Sequence, residues 1–436
     1  MHHGRIGTRI LAALLCAMLS IGSVQTAPQQ VWAAEQQNAV TTYATNNQAD
    51  EAFSFALENG KFVVQSVPYT EQYSYIWVVF NDASQILPIS SVVEFPLPSQ
   101  DGTYYVDIYL GKERYATYKG VIFGENIGVT IQGGAASFVE SPVYKRNLKV
   151  FQSGSTSATM RGYYTQPSHW VESDSPKIKA LAKKIVNDSD SDYEKVKKVH
   201  DWVADNIWYD YDAYYSGTSA QVDAVKVLEV KRTVCQGYAD LTAALLRSLG
   251  IPTKVVSGYA LGVGTSGGWT KELVSSKATN HAWNEAYVDG RWIILDTTWD
   301  SDNKYQNGTF SQGTGLKYRK YFDPTLEFFS ADHKIFEEDS YDKWERENAF
   351  SSALSVSKTS LTLKKGKTKQ LSVKTSQSYI KLKDAKITYS SSNKKVATVS
   401  SKGKIKAKKA GQTTITTTVK LEGITFKFRT QVTVKK

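Results

Sequence analysis

Asp289-Gly290 fixes more of this chain's geometry than any other pair of residues. It separates two strand-forming runs, Asn280 to Val288 and Arg291 to Thr298, and a two-residue Asp-Gly loop joins adjacent antiparallel strands in a tight hairpin. With these residues as the loop, His281 lies opposite Thr298 and Trp283 opposite Asp296. Side chains alternate between faces with a period of two, so His281, Trp283, Asp296 and Thr298 share one face. His281 and Asp296 become diagonal neighbours, about 7–8 Å apart by backbone position and within side-chain reach. A carboxylate placed there can hold one imidazole nitrogen and fix which tautomer the other presents.

The chain has two cysteines. Cys16 falls in an apolar run from Ile10 to Val24, preceded by His2, His3, Arg5 and Arg9 and followed by Val31-Trp32-Ala33-Ala34. That is the order of an export signal with cleavage after Ala33 or Ala34, so residues 1–34 are expected to be a signal peptide. The run is short for a membrane span, nothing comparable recurs, and Leu15 is too large for a lipoprotein cleavage site. A secreted mature chain without a transmembrane anchor is expected, and Cys235 is its only thiol.

Cys235 sits in Thr233-Val234-Cys235-Gln236-Gly237-Tyr238, where a helix begins. On composition alone a single cysteine is more often a buried small hydrophobe. The helix start, which favours a thiolate, and the His–Asp hairpin reverse that balance. Acyl chemistry needs a thiolate to attack a carbonyl, a base that also protonates the leaving amine, and an acid that orients the base. Cys235, His281 and Asp296 are the candidates in that order. A helix packed across the His281 face brings Cys235 to the outward nitrogen, and the backbone N–H groups at the helix start, that of Cys235 included, are available to an oxyanion.

The organisation is multidomain. Residues 35–50 are Gln-, Asn-, Ala- and Thr-rich without periodicity and are expected to be a flexible leader. Short apolar runs separated by Asn59-Gly60, Asn81-Asp82, Asp101-Gly102 and Gly133-Gly134 then predict a β-sandwich over 51–150. Ser175-Pro176 starts a helix, Ser191-Asp192-Tyr193-Glu194 is a capping box, a third helix lies near Gln221 to Val230, and a fourth runs from Cys235 to Gly250-Ile251-Pro252. With the strand Lys254 to Tyr259 and the hairpin, they predict an α+β domain over 155–345. Short Lys- and Ser/Thr-rich strands over 353–436 predict a terminal sandwich.

Two resemblances follow. Val234-Cys235-Gln236-Gly237-Tyr238-Ala239, Leu249-Gly250-Ile251-Pro252, His281-Ala282-Trp283-Asn284, Trp292 and Asp296-Thr297-Thr298-Trp299-Asp300 resemble the transglutaminase-like superfamily of papain-type cysteine enzymes, over about 190 to 300. The resemblance implies Cys235 as nucleophile, His281 as general base and acid, and Asp296 as orienter. Eukaryotic transglutaminases place an upstream Trp in the oxyanion hole; Trp202 and Trp208 do not match that spacing, so the second donor stays unassigned. Leu361-Thr362-Leu363, Ser391-Ser392-Asn393, Val396-Ala397-Thr398-Val399 and Ala410-Gly411-Gln412-Thr413 are similar to the bacterial Ig-like group 2 domain, a fold that presents or adheres.

Charge divides the same way. From residue 350 onward 21 Lys and Arg face two acids, Asp384 and Glu422, so this module carries +19 and the rest −8 of the chain's +11. A polyanionic partner such as an anionic cell-envelope polymer is expected for the module, with a solvated face as the plainer reading; no nucleic acid is expected. No Cys/His cluster has zinc spacing, no glycine-rich stretch carries a phosphate signature, and Asp300-Ser301-Asp302-Asn303 lacks the Gly and terminal Glu of a calcium loop, so neither cofactor nor metal is expected. His169, His200 and His333 are read as surface or packing residues. The expected function is acyl transfer through a Cys235 thioester on a peptide or carboxamide. The rivals are a cysteine peptidase with water as acceptor and a non-catalytic adhesion scaffold.

Overall fold

Short apolar runs cut by two-residue turns pair with their neighbours in sequence, and the computed structural model begins that way. It describes residues 41–44, 54–65, 67, 71–114, 121–153, 156–262, 268–313, 319–337 and 340–436. The signal segment 1–34 lies outside the described residues, as does the leader apart from Thr41–Ala44. That stretch corrects the leader expectation: it is a strand paired antiparallel with Ser54–Glu58.

Asn59 and Gly60 both take positive φ, 48° and 71°, and turn Ser54–Glu58 into Lys61–Gln65. One four-stranded sheet combines Thr41–Ala44, Ser54–Glu58, Lys61–Gln65 and Val92–Pro96 in that order. A five-stranded sheet runs Ala83–Pro88, Tyr75–Phe80, Gly102–Gly111, Val121–Gln132, Ala135–Phe138. Phe55, Phe62 and Phe95 of the first share one core with Ile76, Phe80 and Ile108 of the second, the expected sandwich.

That core continues into the middle of the chain, because Trp283, Tyr321, Phe329 and Ile335 belong to it. The sandwich and residues 167–337 therefore form one compact unit. Gly154–Gln166 and Glu338–Lys436 form the other, so 154–166 and 338–352 group with the terminal module rather than with the central residues expected to run from 155 to 345.

In the central region helix Pro176–Ile185 starts on its proline, and Ser191 caps Asp192–Asn206 by accepting from Glu194 N–H at 3.1 Å. Ala224–Val230 and Cys235–Ser248 follow. The antiparallel sheet has the order Arg291–Leu295, His281–Val288, Thr253–Ala260, His333–Ile335. Leu241, Leu245 and Leu246 of the Cys235 helix pack with Ala286, Val288, Ile293 and Leu295. No helix among the described residues is long and apolar enough to cross a membrane.

Besides the two-stranded pair Leu354–Val356 and Val373–Thr375, the second unit is built on two larger sheets of the terminal module. One runs Ser360–Lys364, Ile424–Lys435, Gly411–Leu421, Lys386–Ser391; the other runs Thr368–Gln370, Lys404–Ala407, Ala397–Val399. Leu371, Ala397, Ile405, Ile415 and Val432 lie in the core. The short helix Ala158–Tyr163 docks on it, with Ser157 donating to Glu422 at 2.7 Å and Thr159 to Asp384 at 3.1 Å. Both acids of the module are thus engaged, while all 21 of its Lys and Arg side chains are exposed and none forms an ion pair among the described residues.

Candidate active site

The hairpin register follows from its loop: Val288 pairs with Arg291 and Asn284 with Leu295. The second strand ends at Leu295, three residues earlier than the expected Thr298. Asp296 causes the stop, because its Oδ1 accepts from the N–H groups of Thr298 at 3.0 Å and Trp299 at 3.1 Å and folds the chain into a turn. The other oxygen, Oδ2, lies 2.6 Å from His281 Nε2. The diagonal pair drawn from the sequence is therefore formed, with the carboxylate anchored by the backbone as well.

Cys235 reaches this pair by a different route from the one expected. The helix packs on the opposite face of the hairpin, where Ala282, Asn284 and Ala286 are small enough for close approach, and Asn284 Nδ2 donates to Ala239 O at 2.9 Å. The His281 face carries Trp283, whose indole fills the core shared with the sandwich. Cys235 is the first residue of its helix and His281 the first of its strand, so the two meet at the ends of their elements. The thiol interacts electrostatically with the His281 ring. Asp296 holds Nε2, which leaves Nδ1 for the sulfur.

Two glycines permit these approaches. A Cβ on Gly237 would collide with the Thr233 side chain, which holds the segment leading into the helix. A Cβ on Gly258, paired opposite His281, would collide with the Trp283 ring and with Lys334 O.

Burial of His281 opposes its charged form, but the charge of Asp296, its hydrogen bond and the contact with Cys235 outweigh that and raise the imidazole above its usual value of 6.5. Burial likewise works against ionised Asp296, yet the charge and hydrogen bond of His281, with the His333 ring close by, hold it well below the carboxylate range. The set favours an imidazolium beside a fully buried carboxylate.

Tyr209 also bears on the thiol electrostatically. Strand Trp208–Asp210 pairs in parallel with Arg232–Thr233, with Tyr209 opposite Thr233, and its phenol interacts electrostatically with Cys235. Burial and then Cys235 raise its pKa well above 10, so it stays a proton donor at neutral pH. Among the described residues its hydroxyl makes no hydrogen bond. Of the residues weighed from the sequence, Trp208 lies edge-on to Phe310 with its buried Nε1–H without a hydrogen-bond partner among the described residues, and Trp202 lies under Lys231.

His200 and His333 correct the sequence reading of both as ordinary surface or packing residues, whereas His169 is exposed as expected. His200 lies between Asp300 at 3.0 Å and Asp201 at 3.3 Å, and Arg319 clamps Asp201 at 3.0 and 2.8 Å. Burial works against its charge, but the two acids win and hold it up to about 9. Asp300 in turn accepts from Tyr321 N–H and donates its own N–H to Asp296 O at 3.1 Å, so this buried network braces the Asp296 turn. His333 sits on the far side of Asp296, its Nε2 3.3 Å from Oδ2. Nothing periodic announces either histidine, since Asp300 and Asp296 come from distant parts of the chain; the only local signals are the adjoining Asp201 for His200 and Asp332 for His333.

His281, Asp296 and His333 are the one trio of potential metal-ligand side chains among the described residues, with donor atoms within 4.8 Å of one another. Ligands of one tetrahedral zinc, at about 2.0–2.1 Å each, stand roughly 3.3 Å apart. The 2.6 Å between His281 and Asp296 is the spacing of a hydrogen bond instead.

Residues 179–297 match the family model of the transglutaminase-like superfamily, and residues 352–426 that of the bacterial Ig-like domain (group 2). Kyphoscoliosis peptidase of Mus musculus is 30% identical over 156 residues, covering 36% of this chain and 23% of that protein. Its Homo sapiens counterpart is 31% identical over 121 residues, covering 28% and 18%. This chain therefore spans less than a quarter of the length of these curated relatives. Red sea bream transglutaminase aligns in structure over 86% of this chain and 80% of its own, at 9% identity and a TM-score of 0.26.

Proposed function

We propose that the transglutaminase-like domain this chain carries is a cysteine acyl-transfer enzyme acting on peptide or carboxamide bonds. The observation that supports it most is His281 held by Asp296 at 2.6 Å while its ring interacts with Cys235. In this reading the Cys235 thiolate attacks the carbonyl carbon and an S–C bond forms. His281 gives its proton to the leaving nitrogen as the C–N bond breaks, and the thioester remains. An acceptor then attacks the thioester, loses its proton to His281, and the thiolate departs.

The oxyanion formed in each step is met by the Cys235 N–H and by the Tyr209 hydroxyl, the second donor we assign. Tyr209→Phe keeps the ring in place and removes the donor. It should lower turnover by about 10²-fold with little change in KM, the scale of losing one oxyanion-hole donor. An unchanged turnover would remove Tyr209 from the mechanism.

The acceptor is an amine in cross-linking or water in proteolysis. The similarity to a protein named a peptidase favours water as the second reading. Incubation with casein peptides and a fluorescent alkylamine separates the two: new peptide amino termini report water, and dye incorporation reports amine. The proposal requires at least one of these from the wild type and neither from Cys235→Ser. Activity surviving in Cys235→Ser would remove Cys235 as the nucleophile, and activity absent from both would leave the scaffold reading.

We also propose that the protein is exported and that its terminal module holds it on an anionic cell-envelope polymer. Lys394, Lys395, Lys408 and Lys409 support this, being exposed and brought together by bonds from the N–H groups of Lys408 and Lys409 to Val396 O. Binding by charge weakens as the Debye length falls from about 10 Å at 0.1 M salt to about 3 Å at 1 M. The full chain should sediment with teichoic-acid-bearing cell walls at low salt and be released at high salt. Reversal of those four lysines to Glu should cut low-salt binding by about tenfold or more. Retention indifferent to both would make the lysines a solvated face.

A further inference from the structure

His333 is fully buried yet is not a simple packing residue. Its ring stacks on Phe329 at 4.3 Å and meets the edges of Trp299 and Tyr321, which fixes its plane. Nδ1 is bonded to Asp332, whose other oxygen accepts from the Tyr321 hydroxyl. Nε2 has no aligned hydrogen-bond partner in protein, and it points at Asp296 Oδ2 from 3.3 Å, the oxygen His281 holds at 2.6 Å. A side chain locked by three rings and a carboxylate, with its remaining nitrogen aimed at the orienting acid, marks a second claimant on that acid.

We propose that His333 is a positioning residue that shares the Asp296 carboxylate with His281 and so sets how tightly His281 is held during acyl transfer. The run Tyr321, Asp332, His333, Asp296, His281, Cys235 alternates donors and acceptors from the protein interior to the thiol. While His281 is charged it holds Asp296 tightly through Nε2–H and His333 stands off; when His281 delivers its Nδ1 proton to a leaving group, its hold on Asp296 weakens and His333 Nε2–H draws closer to the shared oxygen. Contacts of this kind that are long in the resting enzyme tighten as the reaction proceeds. The other charged groups bearing on the pair are Asp300, which interacts electrostatically with Asp296, and Lys320, which lies over the rings of Trp299 and Tyr321.

The inference rests on the reading of His281 as the base, and substrate-free measurements separate the two. The protein has six histidines, so ¹⁵N-histidine labelling resolves the rings, assigned by substitution. His333→Phe preserves the stack and removes the nitrogen. With Asp296 left wholly to His281, the His281 titration should move up by about one pH unit, the scale of one hydrogen bond to a carboxylate. His333→Gln, which restores a donor, should return it to the wild-type midpoint. A midpoint unmoved in His333→Phe would reduce His333 to packing. If that variant does not fold, the wild-type spectrum decides: the proposal needs a proton on His333 Nε2, and a spectrum showing that nitrogen bare overturns it. Iodoacetamide alkylation of Cys235 in His281→Ala is the control. Slowing there, with His333→Phe unmoved, defeats the His333 role alone.

Discussion

Replacing His281 by Ala is expected to reduce turnover by about 10⁶-fold while leaving the fold intact, because removing the base of such a triad costs about as much as removing all its members. The size follows from what the ring does in the structure: it is bonded to Asp296 and interacts with Cys235. Without it the thiol has no acceptor for its proton and the leaving amine no donor. His281 is the first residue of its strand, and its ring occupies the end of the sheet rather than the core filled by Trp283, so the shortening to Ala leaves the packing of Phe329 and Tyr321 in place. Steady-state rates with circular dichroism on the same preparation check both halves. A loss of less than about a hundredfold would place the base elsewhere.

Asp296→Asn should lower turnover by roughly 10²–10⁴-fold, with the turn preserved. Asn can keep its oxygen on the N–H groups of Thr298 and Trp299, but its amide then faces His281 Nε2 as a donor and forces the proton onto Nδ1, toward Cys235. That is the wrong tautomer. The pH dependence carries a sign. In the wild type the folded pKa of His281 lies above its unfolded value near 6.5, so the stabilisation is complete below that value and is lost as pH rises through the raised one. Asp296→Asn removes the main cause of the rise, so the alkaline limb of the rate profile and the alkaline loss of stability should both move to lower pH. An unshifted alkaline limb would mean that Asp296 does not set the protonation of His281.

The hairpin was the most legible part of the site because its loop fixes register arithmetically, and Asn284 opposite Leu295 confirms it. The Cys235 helix was legible from the Leu241, Leu245, Leu249 spacing and the Gly250-Ile251-Pro252 stop. Which face of the hairpin that helix covers was not. Both faces carry apolar residues, and the choice turned on the size of Trp283 against Ala282, Asn284 and Ala286, which matters only once the sandwich core is there to take the indole. The strand's early stop at Leu295 depended on Asp296 bonding backward to its own backbone, a local competition that an alternating pattern hides. His200 and Asp300 lie 100 residues apart, and no spacing rule joins them. For the same reason the docking of Ala158–Tyr163 on the terminal module could not be read, since Ser157 and Thr159 find Glu422 and Asp384 across most of the chain.

The measurement closest to the central claim is the rate at which iodoacetamide alkylates Cys235, followed by intact mass across pH 5 to 9 in the wild type and in His281→Ala. An activated nucleophile paired with His281 predicts rapid, single-site alkylation already at neutral pH, and a marked fall in that rate when the imidazole is removed. The same slow rate in both proteins, rising only as an ordinary thiol ionises near pH 8.5, would contradict it.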